Sequence, residues 1–246
     1  MNTKKIHFCW FGRGEKPELV KKCIKSWIEY LPDFEIKEWN EDCFDIECNN
    51  YVKQAYGCKK YAFVSDYVRF WALYNYGGLY FDTDVEVIKS FDELLLDEAF
   101  AGRETEEYVA PGLVVWAKDA GNPIFKEMLD TYSNTEFINV NGLLNTVTVC
   151  VYFTEVLKKH GFVAENIKQK CGDFTVYPID YFCPFNDLTG QLTITENTYT
   201  IHWYHKTWMS KRDIYKNKIT RVLHRIFGIN YFLNIRNKLK KLRGSL

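Results

Sequence analysis

The 246-residue sequence contains no stretch of about 18 consecutive apolar residues, so it offers no bilayer-spanning helix. Its opening MNTKKIHFCWFGRGEK returns to polarity soon after Lys5 and lacks the apolar run of a secretory leader. The eight cysteines (9, 23, 43, 48, 58, 150, 171 and 183) form no CxxC pair, and 43, 48 and 58 lack zinc-finger spacing. An even count allows disulfides in a secreted chain. At this size and without a leader, reduced cytosolic thiols are expected instead. Internal repeats and low-complexity segments are also missing. Acidic residues are nearly absent from the end. From Lys206 to Leu246 there are 12 Lys or Arg against one acid, Asp213, a balance of +11. The preceding 205 residues carry 20 basic and 31 acidic residues, −11, so the formal net charge of zero is a cancellation.

What is present is an ordinary globular composition. With 47% hydrophobic and 26% charged residues, wholesale disorder is excluded. Aromatic residues are plentiful at 18 Phe, 17 Tyr and 7 Trp, which suits a thick core or a stacking site for a ring-shaped ligand. Residues 4–11 read as a short buried strand, 15–30 as a helix stopped at Leu31-Pro32, and 34–39 as a second strand. Strand, helix and strand in forty residues start an α/β domain with parallel pairing.

The run 58–76 predicts a helix that is apolar almost all round and ended by Gly77-Gly78. LYFDTDVEVI then predicts a central strand. Further on, a turn-helix is expected at 91–96, a strand at 112–116, and helices at 122–132 and 149–159. A loop-like stretch with strand fragments follows, and a late strand lies in TITENTYTIHWYHKTW. These elements fit one domain over 1–209, with a basic amphipathic tail over 210–246.

The sharpest chemical feature is Asp82-Thr83-Asp84. In an extended chain residues i and i+2 share a side, so the two carboxylates would converge. Such a pair raises one pKa unless a cation lies between them. Mn²⁺ or Mg²⁺ would suit oxygen ligands and keep positions open for phosphate. Two aspartates in a surface turn would show the same spacing. Asp66 and Arg69 lie at i, i+3 on the apolar helix, where burying charge requires a partner. They could pair with each other, or reach the hydroxyls of a sugar.

The run AFVSDYVRFWALYNYGGLYFDTDVEV resembles the sugar-nucleotide-binding region of family 32 glycosyltransferases. The shared pattern is SD, an Arg three residues after that Asp, then GG-x-Y-x-D-x-D. The opening KIHFCWFG is similar to that family's I-H-x-x-W strand, and TYTIHWYHKTW to its closing H-x-x-x-x-x-W segment. The resemblance implies a GT-A-like α/β domain binding a nucleotide-sugar at the carboxyl edge of its sheet. Asp82 would contact ribose or sugar, Asp84 would ligate the metal bridging the phosphates, and Asp66 and Arg69 would meet the donor sugar. His7, Trp10 and Phe11 would line a nucleobase pocket, although His7 would serve equally as a satisfied core residue. Trp208 would close over the diphosphate. The closing segment departs from the usual pattern, with Lys206 and Thr207 in place of a small pair. That leaves His202 and His205 as alternative metal ligands and sets a positive charge by the leaving diphosphate.

The resemblance implies retention of anomeric configuration, with UDP-hexose the first expectation as donor and GDP-mannose the second. Glu104, Glu106 and Glu107 qualify as a second carboxylate by position only, so front-face attack is expected over a covalent intermediate. A saccharide acceptor, free or lipid-linked, is expected in bacterial capsule or surface polysaccharide synthesis. Asn139, Asn141 and Asn145 could hold that acceptor or merely build turns. The tail is expected to place the protein on the inner, anionic face of the cytoplasmic membrane, and its neighbouring acidic body argues against nucleic acid. Two rival readings are a toxin-like transferase acting on a host protein and a non-catalytic sugar-nucleotide-binding protein.

Overall fold

The computed structural model describes residues 4–205 and 220–228. In chain order the elements are β1 (Lys5–Cys9), α1 (Glu18–Tyr30), β2 (Glu35–Trp39), α2 (Asn50–Gly57), α3 (Tyr61–Tyr76), β3 (Gly78–Tyr80), β4 (Val85–Val87), β5 (Ala99–Gly102) and β6 (Val115–Ala117). They continue with α4 (Pro123–Ser133), α5 (Val149–Lys159), β7 (Gln169–Cys171), β8 (Phe174–Tyr177), α6 (Ile179–Phe182), β9 (Phe185–Asn186), β10 (Gln191–Leu192) and β11 (Thr200–His202). Residues 220–227 are helical.

Two compact units are distinguished. The first holds residues up to Pro184 together with Ile194–His202, and the second holds Phe185–Thr193 and the chain from Trp203 onward. The described segment 220–228 therefore shares its unit with the β9–β10 hairpin.

The first unit is α/β with a mixed central sheet, as expected. Seven strands run in the order β2-β1-β3-β6-β5-β8-β7. β1 is parallel to both β2 and β3, whereas β6 is antiparallel to both β3 and β5. One sheet face packs on α2 to α5 through Tyr51, Val68, Phe70, Phe125, Met128, Phe153 and Val156, all buried in one core. On the other face Trp27 of α1 meets Phe8 at 5.6 Å and Phe81 at 5.4 Å between ring centroids. Phe91, Phe100, Phe182 and Tyr199 extend that layer. Most of the aromatic surplus is thus core.

Three expectations change. The helix expected over 58–76 begins at Tyr61, because Lys59 takes a left-handed φ of 57° and separates α3 from α2. Asn49 caps α2 by accepting from the Tyr51 and Val52 amides at 2.8 and 3.3 Å, a start signal the sequence reading passed over. The strand expected through LYFDTDVEVI is broken. β3 ends at Tyr80, the DTD residues form a turn, and β4 pairs antiparallel with β11 in a separate two-stranded sheet.

Candidate functional site

β2 and β3 lie on opposite sides of β1 and parallel to it, so the strand order reverses between β1 and β3. Crevices at such switch points, beyond the carboxyl ends of strands, are where open α/β sheets bind ligands. Asp82 lies there, two residues beyond β3, with its amide donating to Gly112 O at 2.9 Å. Gly112 precedes β6, and a Cβ added to it would fall on Asp82 Oδ2, well inside contact distance. The glycine is required by close approach.

Helix α3 supplies the other half. Asp66 and Arg69 are both buried, at 8% and 3% exposure. Arg69 Nη2 donates to Asp66 Oδ1 at 2.8 Å and lies 3.3 Å from Asp82 Oδ1. Arg69 therefore pairs with its helix neighbour and also reaches Asp82 of the motif. Tyr80 donates from its hydroxyl to Asp82 Oδ1 at 3.0 Å, and the guanidinium stacks over the Tyr80 ring at 4.8 Å. Among the described residues Arg69 Nη1 is buried without a hydrogen-bond partner, a cationic donor left for an oxygen-rich ligand.

The charges follow from burial. Desolvation pushes the Asp66 carboxyl up to about 7, against the pull of Arg69 and with a further push from Asp82. Burial also works against the Arg69 charge, but Asp82, Tyr80 and Asp66 outweigh it, and Arg69 stays cationic. The hydroxyls of Tyr51 and Tyr132 are buried without partners among the described residues, and both sense the charge of Asp66. The sequence reading missed these two tyrosines because they lie in α2 and α4, far from any motif. Tyr80, by contrast, occupies the Tyr position of GG-x-Y-x-D-x-D and was legible there.

Asp84 points elsewhere. The antiparallel register puts His202 opposite Val85, and His202 Nε2 stands 3.2 Å from Asp84 Oδ1. Burial opposes a charge on His202, but Asp84 through charge and hydrogen bond, with Cys183, holds its imidazole well above the usual range. Helix α1 braces this segment. Trp27 Nε1 donates to Val85 O at 2.8 Å, and Ser26 Oγ accepts from the Val87 amide at 2.9 Å. The convergence expected from strand alternation is thus replaced by a turn in which Asp82 serves Arg69 and Asp84 serves His202.

The remaining candidates are distributed differently. His7 is fully buried, with Nε2 2.9 Å from Gly77 O and Nδ1 accepting from Trp39 Nε1 at 3.1 Å. Phe11 is core, packed on Phe44, and Trp10 is half-buried with its indole donating to Gly14 O at 2.6 Å. His205 belongs to the second unit. Lys206 and Trp208 lie outside the described residues. Among the three glutamates, Glu104 Oε2 is 4.0 Å from Cys150 Sγ. That thiol is pushed up first by burial and then by Glu104 and Asp66, which places Glu104 in the same electrostatic neighbourhood. Asn139 and Asn145 cap turns, accepting from the Leu143 and Val147 amides at 3.0 and 3.1 Å.

A cleft of about 360 Å³, lined by Glu98, Asp119, Asn122, His160 and Asp173 among others, holds none of these residues. It opens beside Gly77, at the opposite end of β3.

Residues 17–101 match the family described as "Glycosyltransferase sugar-binding region containing DXD motif". The matched span holds Asp66, Arg69, Tyr80, Asp82 and Asp84, and leaves His202 and Gly112 outside it. Inositol phosphoceramide mannosyltransferase 3 of Schizosaccharomyces pombe is 28% identical over 134 residues, which cover 51% of this chain and 36% of that protein. The matched part of the chain thus spans about a third of the length of this relative. Among solved structures, the "PaToxG Glycosyltransferase" aligns with a TM-score of 0.45 at 19% identity, covering 63% of this chain and 69% of that one. A glycosyltransferase involved in glycosylation of the major capsid of PBCV-1 aligns with a TM-score of 0.42 at 11% identity, covering 88% and 99%.

Proposed function

We propose that the protein is a metal-dependent, retaining hexosyltransferase of GT-A type, moving a hexose from a nucleotide-sugar to a saccharide acceptor. The reading is carried by Arg69, a buried cation between Asp66 and Asp82 with one N–H donor unfilled. A fixed guanidinium fork flanked by carboxylates suits a polyhydroxyl ring whose oxygens both accept and donate. Asp82 and Tyr80 present the ribose or sugar side, and Asp66 orients the guanidinium.

The donor set at Asp84 fits a hard divalent ion. A carboxylate just before β4 and an imidazole at the end of the paired β11 supply two protein ligands, and no group of three or more ligating side chains is gathered among the described residues. Mn²⁺ and Mg²⁺ usually keep positions for water and substrate phosphates, so a two-residue site suits them. When bound, the ion would neutralise charge gathering on the leaving diphosphate. Asp84 and His202 would hold it. Asp82, occupied by Arg69 and Tyr80, would face the sugar. Trp208 would close over the diphosphate, Lys206 would set a positive charge beside it, and His205 is the alternative to His202 as a ligand.

Front-face attack accounts for retention without a covalent intermediate. Glu104 is the one carboxylate that would take a nucleophile's part instead, and trapping a glycosyl-Glu104 adduct by mass spectrometry would overturn the front-face route. UDP-hexose is the first donor, and the mannosyltransferase relative keeps GDP-mannose second. A cytoplasmic enzyme of bacterial surface-polysaccharide synthesis, with a saccharide acceptor either free or lipid-linked, completes the reading.

The test is calorimetric titration of UDP- and GDP-sugars into wild type and Asp84→Ala, with and without Mn²⁺. One donor should bind wild type only with metal, and the variant should lose at least tenfold in affinity while keeping its thermal transition. Equal binding by both proteins would remove Asp84 from the metal site.

A further inference from the structure

In the second unit, the 220–227 helix meets the β9–β10 hairpin through its basic residues. Arg221 donates from Nε to Asp187 O at 2.8 Å and from Nη2 to Asp187 Oδ1 at 2.6 Å. Arg225 donates from Nε to Thr189 O at 2.9 Å and from Nη2 to Gly190 O at 2.8 Å. His224 Nδ1 lies 3.1 Å from Leu188 O. Positions 221, 224 and 225 share one helix face. Val222, Ile226 and Phe227 occupy the other side and are 55%, 67% and 51% exposed.

An ordinary surface helix turns its apolar stripe inward and its charges to water. Here the order is inverted, and contiguous exposed apolar side chains mark an interaction surface. The tail was expected to lie on anionic lipid as an amphipathic helix. Among the described residues Arg221 and Arg225 hold backbone carbonyls, while Val222, Ile226 and Phe227 stay more than half exposed.

We propose that this apolar face enters the headgroup region of an anionic bilayer. Charge selects that occupant. The sequence before the helix carries Lys206, Lys211, Arg212, Lys216 and Lys218 against Asp213, and the sequence after it carries Arg236, Lys238, Lys240, Lys241 and Arg243 with no acid. An apolar helix face flanked by clustered basic residues has the chemistry of interfacial binding to anionic lipid. A two-fold contact between copies would bring the same surface of each chain together, and with it two sets of like charges.

Flotation of the full chain with phosphatidylcholine vesicles, alone or containing about a third phosphatidylglycerol, tests the proposal. Wild type should float with the anionic vesicles and not with the neutral ones. Val222→Ser/Ile226→Ser/Phe227→Ser should reduce the bound fraction at least tenfold at an unchanged circular dichroism spectrum. If that variant fails to fold, Ile226→Ser alone, at the most exposed of the three, should weaken binding at least threefold. Equal flotation by variant and wild type, or none by wild type, overturns the proposal. So does a wild-type dimer that the variant splits in sedimentation with no change in flotation, since the face would then join two copies. Flotation reads no sugar transfer, so the result stands apart from the proposed catalytic activity.

Discussion

At the scale of single residues, Arg69 and His7 show opposite ways of burying a titratable group. Arg69 is kept charged by two carboxylates, so removing it should cost more than removing either partner. Arg69→Met leaves Asp66 and Asp82 uncompensated, and breaking a buried pair in this way costs about 3–5 kcal/mol. Urea unfolding should show a loss of that order at pH 8. The loss should shrink toward pH 5 as the exposed penalty is relieved by protonation. Arg69→Lys keeps the charge without the fork and should recover part of the stability but not donor binding.

His7 is buried neutral. Desolvation lowers its pKa to about 4, against a small upward pull from its bond to Gly77. The unfolded chain takes a proton near 6.5 that the folded chain refuses, so stability should fall as pH drops through 6.5, the full loss being reached below 4. The shift corresponds to about 3 kcal/mol at 1.36 kcal/mol per pKa unit. His7→Gln, whose amide can also donate to Gly77 and accept from Trp39, should lose this acid sensitivity. Compared at pH 7 and pH 4.5, the stability gap between variant and wild type should change by about 2–3 kcal/mol in the variant's favour. An unchanged gap would mean that His7 is protonated in the fold.

At the scale of elements, the site depends on how α3, β3 and β6 are joined. Gly112 belongs to no motif, yet its missing side chain is the space that Asp82 occupies. Gly112→Ala should push Asp82 off Arg69 and Tyr80, weakening donor binding at least tenfold while lowering Tm by only a few degrees. Donor titration beside a thermal scan checks both. The α3 pair and the DTD residues were legible because charge within an apolar helix and carboxylates beside a glycine pair depart from background. The division of labour between Asp82 and Asp84 was not. It depends on a chain break after Tyr80 and on the pairing of β4 with β11, more than a hundred residues away. Strands β5 and β7 escaped notice because four- and three-residue strands show too few periods to read. The His7 alternatives could be separated only by finding Trp39 and Gly77 on its two nitrogens.

At the scale of the whole molecule, guanidinium groups are used in two ways. In the first unit Arg69 is neutralised by carboxylates, whereas buried Arg103 donates to Glu106 O at 2.6 Å and to Val163 O at 2.8 Å. In the second, Arg225 holds carbonyls of the hairpin with no carboxylate among its described partners, and Arg221 adds one ion pair to Asp187 at 2.6 Å. Hydrogen bonds from charged donors are worth about 1.5–3 kcal/mol each when buried and less at a surface. The hairpin itself has two residues per strand, too little to persist alone in water. Its order should therefore depend on the helix. Arg221→Met/Arg225→Met should raise the rate of proteolytic cleavage within 185–193 at least fivefold, read by mass spectrometry of timed digests. Cleavage elsewhere in residues 4–184 should stay at the wild-type rate, because the core there shares none of these bonds. If both regions become sensitive together, the hairpin and helix are not a unit of their own. Cleavage of the hairpin at an unaltered rate would mean that the guanidinium contacts do not order it.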